Sequence, residues 1–294
     1  MRVAVMGGLT IDITHGKTRI IGGPPWYAGT AVHASKAYAM LYSAVGGDFP
    51  ADFLKKLAEA GLDASNVIKV EDASTYVFEP VFKDGARVLR LVSQGPPLPQ
   101  HILENVDTEA VIVSPVFKEV GKEHVMQLRS RTEVLSVDLQ GFLRQLDNNG
   151  YIFLRGLPLD EIFREADVIH CSAEEAVALT GRENVLDAAT ALAKLGAKIC
   201  LVGFEDGLLL TGPHILSLIE VVEPVITNET TGAGDILTGA FTTLFAAGTP
   251  PEEAGVKALE AVARSLMNPP PERVPKNLEL TGQLCRVAWR KSIA

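Results

Sequence analysis

Short apolar, β-branched runs recur along the chain at Val3–Met6, Ala39–Val45, Ala110–Val113, Val134–Val137, Val168–Cys171 and Lys198–Val202. Between them lie stretches with helical spacing of apolar residues, among them Pro50–Ala60, Lys122–Arg131, Ser172–Thr180 and Val185–Leu195. Gly61, Gly181 and Gly196 follow three of these in the position where helices stop. Strands that are apolar on both faces, alternating with amphipathic helices, predict a parallel sheet covered on each side. From about Gly232 the pattern turns helical, with Gly255–Met267 as a second long helix before a proline break at Pro269–Pro271. Two segments depart from the alternation. Thr10–Ile21 is short, polar and β-like, and Thr75–Val92 reads as a hairpin, Tyr76–Phe82 and Ala86–Val92 about a turn at Lys83-Asp84-Gly85.

In an open parallel sheet, ligands bind beyond the carboxyl ends of the strands. The residues that follow each apolar run are therefore informative. Val3–Met6 leads to Gly7-Gly8 and Asp12, Ala110–Val113 to Ser114, and Val134–Val137 to Asp138, Gln140 and Arg144. Val168–Cys171 leads to Ser172 and Glu175, and Lys198–Val202 to the glycines at 203 and 207. Each of these is explicable alone as turn or cap chemistry. Together they load one sheet edge with carboxylates, an amide and glycine turns.

The string Thr230-Thr231-Gly232-Ala233-Gly234-Asp235 opens directly into the apolar helix Ile236–Phe245. A glycine turn before a helix leaves backbone N–H groups unpaired at the positive end of the macrodipole, which suits an anion. A carboxylate beside it is unfavourable for phosphate binding but useful as a base. The pair of features suggests phosphoryl transfer to a hydroxyl, with the N–H groups of Gly232, Ala233 and Gly234 holding the developing charge and Asp235 accepting the proton. Asp in a first turn is also a common cap, so the bare pattern does not decide the matter.

The longer string resembles the second signature of the ribokinase-like (PfkB) carbohydrate kinases, and the resemblance covers the whole chain. It implies an α/β fold, a ribokinase-like three-layer sandwich with a central, mostly parallel sheet and a small β-lid made from about 12–21 and 75–93, within one domain spanning 1–294. The first lid piece is short, which points to a reduced lid. The resemblance further implies ATP and Mg²⁺. Asp12 falls where the family binds substrate hydroxyls. Gly22-Gly23 resembles the first signature, but Pro24-Pro25-Trp26-Tyr27 follows where many sugar kinases place an Asn. Trp26 or Tyr27 can offer a ring face an apolar platform there, or belong to the core. Ser172 and Glu175 resemble the N-x-x-E motif, with Ser in place of Asn; Glu175 would hold Mg²⁺ through water, and a capping box is an equally good account of the pair. Thr231, Gly207 in the turn Phe204-Glu205-Asp206-Gly207, and Asn268 by the adenine complete the nucleotide side. Glu229 stands where the family usually has Asp, Asn, Ser or Lys. The stretch Asp138–Arg144 looks like the version found in the inositol-kinase-like branch, so Asp138, Gln140 and Arg144 join Asp12 and Gly22-Gly23 as expected substrate contacts.

Composition narrows the partners. The chain has 294 residues, 47% hydrophobic and 21% charged, with a net charge of −9. That balance is globular, and it argues against nucleic acid or an anionic membrane as the main partner. Its N-terminus enters a strand pattern without a signal peptide, and no apolar run reaches transmembrane length. Cys171, Cys200 and Cys285 have neither metal-ligand spacing nor an even count, which reads as buried thiols in a cytoplasmic protein. The expected partners are nucleotide and a small sugar or cyclic polyol, with a homodimer left open. A nucleoside kinase is the second reading, and a non-catalytic ligand-sensing relative the third. Retention of Asp235 between intact glycines disfavours the third. Few cations cluster on the lid segments (Lys83, Arg87, Arg90), which disfavours a phosphorylated sugar.

Overall fold

The computed structural model describes residues 1–14, 18–83, 86–223, 225, 227, 229–275 and 284–291. Its strands are β1 (Arg2–Met6), β2 (Thr10–Ile13), β3 (Arg19–Gly22), β4 (Tyr38–Gly46), β5 (Asp63–Val70), β6 (Tyr76–Lys83), β7 (Ala86–Ser93), β8 (Ala110–Val113) and β9 (Val134–Asp138). They continue as β10 (Arg144–Leu146), β11 (Ile152–Leu154), β12 (Val168–Ser172), β13 (Ile199–Phe204), β14 (Gly207–Gly212), β15 (Ile215–Val221) and β16 (Cys285–Lys291). The helices are α1 (Pro24–Ala34), α2 (Ala51–Glu59), α3 (Lys122–Leu128), α4 (Gln140–Leu143), α5 (Asp160–Glu165), α6 (Ala173–Thr180), α7 (Val185–Leu192), α8 (Ala233–Ala246) and α9 (Pro251–Leu266).

A ten-stranded sheet runs in the order β16-β15-β14-β13-β12-β9-β8-β1-β4-β5. Its strands from β13 through β5 are parallel, and β14, β15 and β16 continue it antiparallel at one edge. Alternation along each strand explains the continuous apolar runs. Val3 and Val5 enter the core beneath α1, α8 and α9, while Ala4 and Met6 enter the opposite core beneath α3 and α5–α7. Every described residue of β1 but its first is fully buried. The expected three-layer architecture is what forms.

Several elements of this sheet and its layers, α1, α5, β5, β14, β15 and β16 among them, carry no strong signal in the sequence. The residues after Gly22-Gly23 form a helix, not a loop. Gly23 takes a left-handed φ of 87° as its N-cap, and Pro24 and Pro25 occupy the first turn, where their missing N–H groups cost nothing. That helix is buried nearly all round, so it has no amphipathic stripe to find.

The irregular segments make a second sheet, ordered β3-β2-β6-β7, over the strand ends. The short first piece doubles back as β2 and β3, and β2 then pairs parallel with β6, giving the lid four strands. The expected turn at Asp84-Gly85 lies outside the described residues. Where the lid leaves the main sheet, Asp48 accepts from both the N–H (2.7 Å) and the hydroxyl (2.8 Å) of Thr75.

Helices α1 and α8 pack against each other at very short range. A Cβ on Gly239 would stand 2.6 Å from the carbonyl oxygen of Ala28 and 2.9 Å from its Cα. Backbone cannot yield as a flexible side chain can. Gly239→Val should therefore lower stability by about 1–3 kcal/mol, read as a fall in the melting temperature; an unchanged melting temperature would mean the helices separate freely.

Candidate active site

The carboxyl ends of β1, β8, β9 and β12, the N-termini of α1 and α8, and the underside of the lid enclose a cleft of about 420 Å³. At its floor Gly232 is the N-cap of α8 with φ 83°, a left-handed conformation that favours glycine. A Cβ there would also strike the ring of Tyr27 at 2.6 Å. Ala233 N–H donates to the carbonyl of Thr230 at 3.0 Å and so closes the turn instead of serving the cleft. The N–H groups of Gly232, Gly234 and Asp235 make no hydrogen bond to a described residue. An anion bound at this loop would thus find the N–H groups of Gly232, Gly234 and Asp235 available, and not that of Ala233. Glu229 supports the approach to it: its Oε1 accepts from Thr231 N–H (2.9 Å) and from Thr231 Oγ1 (2.5 Å). On the far side, the wholly buried Arg273 donates to the carbonyls of Thr231 and Asn268, each at 3.1 Å.

Asp235 lies in the first turn of α8, 9% exposed. Burial first, and the Asp138 carboxylate second, push its carboxyl up to about 7; His170, Arg144 and the Ser114 hydroxyl pull it down. Ser114 Oγ donates to Asp235 Oδ1 at 3.4 Å, and Gln140 Nε2 reaches the same oxygen and Ser114 Oγ at 3.3 Å each. Gln140 is thus tied to the expected base. A carboxylate with its transition near neutrality is suited to accepting a proton at physiological pH.

The other expected residues divide into two groups. Asp12, Gly23, Asp138, Gln140, Arg144, Ser172, Glu175, Thr231, Gly232, Gly234 and Asp235 all line the cleft. Gly22 stands behind Asp12, where a Cβ would lie 2.1 Å from Asp12 Oδ2. Asp12 Oδ1 accepts from Thr10 Oγ1 at 2.7 Å. Arg144 Nη1 donates to the carbonyl of Val116 at 2.9 Å. Ser172 and Glu175 do form a capping box, and the buried Glu175 carboxyl is raised by burial and by Asp138. Gly207 and Asn268 do not line the cleft. Gly207 opens β14 against the Phe204 ring, and Asn268 is exposed just beyond α9.

Three further groups matter here, and two of them, Glu119 and His170, went unread in the sequence. Tyr27 lines the cleft with its hydroxyl buried and unpartnered, and burial and Asp12 hold the phenol well above its ordinary range, so it stays protonated. Trp26, its neighbour, belongs to the core. Glu119 ties two strand-end loops together, accepting from the N–H groups of Gly8 (2.8 Å), Val116 (2.5 Å) and Phe117 (3.0 Å). His170, inside β12, sits 2.7 Å from Asp138 Oδ2 through Nδ1. No motif marks it; a polar residue inside an apolar strand run was its one signal.

Comparisons with known proteins point to one family and one fold. A model of the pfkB family carbohydrate kinases matches residues 28–264. A cytidine kinase from Thermococcus kodakarensis is 28% identical over 244 residues, 79% of this chain and 84% of its own. A pyrophosphate-dependent kinase of the ribokinase family, solved with a pyrophosphate analog and myo-inositol, superposes with a TM-score of 0.79 at 20% identity, covering 94% of this chain and 97% of that one. Arabidopsis thaliana ribokinase, solved with ribose and ATP, gives 0.71 at 17% identity over 94% and 96%. Among the described residues no helix is long and apolar enough to cross a membrane.

An NMR titration of the Asp235 carboxyl should give a midpoint near 7, and Ser114→Ala, which removes a hydrogen bond to the ionised form, should raise it further. A midpoint in the ordinary carboxylate range would contradict the burial argument.

Proposed function

Because the chain belongs to the pfkB family of carbohydrate kinases, we propose that it transfers the γ-phosphoryl group of ATP to a hydroxyl of a small neutral sugar or cyclic polyol, with Asp235 as general base. The observation that carries this reading is the meeting, in one cleft, of a buried carboxylate with the free N–H groups of the α8 N-terminus. An acceptor hydroxyl donates its proton to the Asp235 carboxylate as its oxygen bonds to phosphorus. The bond from phosphorus to the leaving oxygen breaks, and the N–H groups of Gly232, Gly234 and Asp235 receive the charge on the equatorial oxygens. Burial of the site removes the water that would weaken those interactions.

Ser172 and Glu175 fit a hydrated Mg²⁺: they line the cleft with hard oxygen donors. Bound there, Mg²⁺ would neutralise phosphate charge. The acceptor end supports a neutral, amphipathic molecule. Asp12 and Thr10 offer acceptors at one side, while Ile13, Ile20, Phe78 and Leu89 offer apolar surface beneath the lid. Arg144 is the one Lys or Arg among the described lining residues, so a phosphate on the acceptor would meet carboxylates instead of cations. The cytidine kinase relative supports a second reading, a nucleoside acceptor with its base against that apolar surface. The pyrophosphate-dependent neighbour makes pyrophosphate the alternative donor to test.

Asp235→Asn should lower kcat by roughly 10²–10⁴-fold with little change in donor KM. It should also abolish the rise in wild-type kcat through pH 7 that accompanies deprotonation of Asp235; near-wild-type turnover would refute the assignment. Values of kcat/KM for myo-inositol, ribose, cytidine and fructose 6-phosphate, with ATP and with pyrophosphate, settle the acceptor. We expect a neutral polyol or sugar to lead. Preference for cytidine would establish the second reading, and preference for the phosphosugar would overturn both.

A further inference from the structure

Among the described residues Arg273 is the one Lys or Arg that is fully buried, at 1% exposure. A guanidinium is costly to remove from water, and an apolar side chain of similar size would fill the space more cheaply. The proposed transfer makes no use of it. Its partners say why a charge is kept there. Nε donates to the carbonyl of Asn268, just past α9, and Nη1 to the carbonyl of Thr231, just before α8, each at 3.1 Å. Asn268, expected beside adenine, thus contributes its backbone to this bond instead.

The Thr231 carbonyl shares its peptide unit with the N–H of Gly232. That unit is trans, the one cis bond among the described residues being Pro270–Pro271. In a planar trans peptide the C=O and the N–H point in opposite directions. With its carbonyl on Arg273, the unit turns its N–H away from the guanidinium. Thr231 and Gly232 line the cleft and Arg273 does not, so that direction is toward the cleft. The N–H bonds to no described residue. A charged donor on the carbonyl also polarises the amide and strengthens its N–H. Glycine makes such a restraint necessary. At φ 83° and without a Cβ, Gly232 lets the preceding peptide plane turn easily. A turned plane would offer an arriving phosphate a carbonyl oxygen in place of a donor. The neighbouring units have anchors of their own: Glu229 takes the N–H of Thr231 at 2.9 Å, and the carbonyl of Gly232 accepts from Ile236 at 2.9 Å. Arg273 holds the unit between them.

We propose that Arg273 is a positioning residue for phosphoryl transfer: by bonding the Thr231 carbonyl it fixes the Gly232 N–H toward the transferred phosphoryl group. Through Asn268 it also ties the loop before α8 to the end of α9. It touches neither reactant. This inference rests on the kinase reading for its ligand, but the binding arm of its test needs no acceptor.

The test compares wild type, Arg273→Met and Arg273→Lys for melting temperature and for calorimetric binding of inorganic pyrophosphate and of AMP-PNP with Mg²⁺. Steady-state kinetics follow on whichever acceptor the wild type uses. Methionine keeps apolar bulk but removes the donor. In its folded fraction kcat should fall by roughly 10²–10³-fold, the range for losing one oxyanion donor. Affinity for the probe that wild type binds should fall about 10-fold, while acceptor KM moves less than about twofold. Arg273→Lys keeps the charge but cannot hold both carbonyls in one planar fork, and should lose about 10-fold in kcat. Wild-type kcat in folded Arg273→Met or in Arg273→Lys would overturn the proposal. So would a loss in Arg273→Lys as large as in Arg273→Met, or activity that falls only as far as the folded fraction does. A raised acceptor KM with probe affinity intact would place the effect at the acceptor and overturn it too. Binding of neither probe by the wild type would overturn this inference and the kinase reading together. If probe binding depends on Arg273 but no acceptor is phosphorylated, the kinase reading fails and this one stands.

Discussion

The close packing of α1 on α8 is the constraint from which the site follows. Helix α8 can present its first turn at the sheet edge only because Gly239 lets it settle onto the backbone of Ala28. About two turns back along α8, the Tyr27 ring lies against Gly232, so loop geometry and helix packing are one arrangement. Interiors are close-packed and transmit small displacements. A shift of α8 along α1 would move the Asp235 carboxylate off Ser114 and Gln140 together, and catalytic geometry tolerates little misplacement.

Around that frame the protein concentrates negative charge where it would ordinarily be avoided. Asp138, Glu175 and Asp235 are all buried at the ends of neighbouring elements, and buried carboxylates are costly unless paired or protonated. The molecule uses both remedies. Asp138 is bonded to an imidazole and a backbone N–H, while burial and the Asp138 charge keep Asp235 close to neutrality in its titration.

Much of this was legible in the sequence. Apart from the half-buried β5, the parallel strands announced themselves because burial on both faces leaves little room for polar residues, and the Gly232–Asp235 loop did so because backbone shape and charge both constrain its composition. What escaped had physical reasons. Helix α1 is buried all round and begins with two prolines, so it shows neither stripe nor ordinary start. Strand β16 is exposed along nearly its whole length and pairs only with β15 among the described residues, so nothing apolar marks it. His170 is distant in sequence from Asp138, and Glu119 from Gly8; only the register of β12 on β9 sets the histidine opposite that carboxylate. Ala233 shows the converse: it sits inside the matching string, but its N–H is committed to the carbonyl of Thr230.

Two helix N-termini, those of α1 and α8, open onto the same cleft, and both carry the positive end of a macrodipole. They are not equivalent receptors. Pro24 and Pro25 remove the first two N–H groups of α1, whereas α8 keeps those of Gly234 and Asp235. An oxyanion arriving in the cleft thus finds donors at one end only. The cleft has a polarity written in imino acids: backbone donors are offered by the first turn of α8 and withheld by that of α1. On the proposed reading, a pair of prolines in this way tells the reactants which way round to lie.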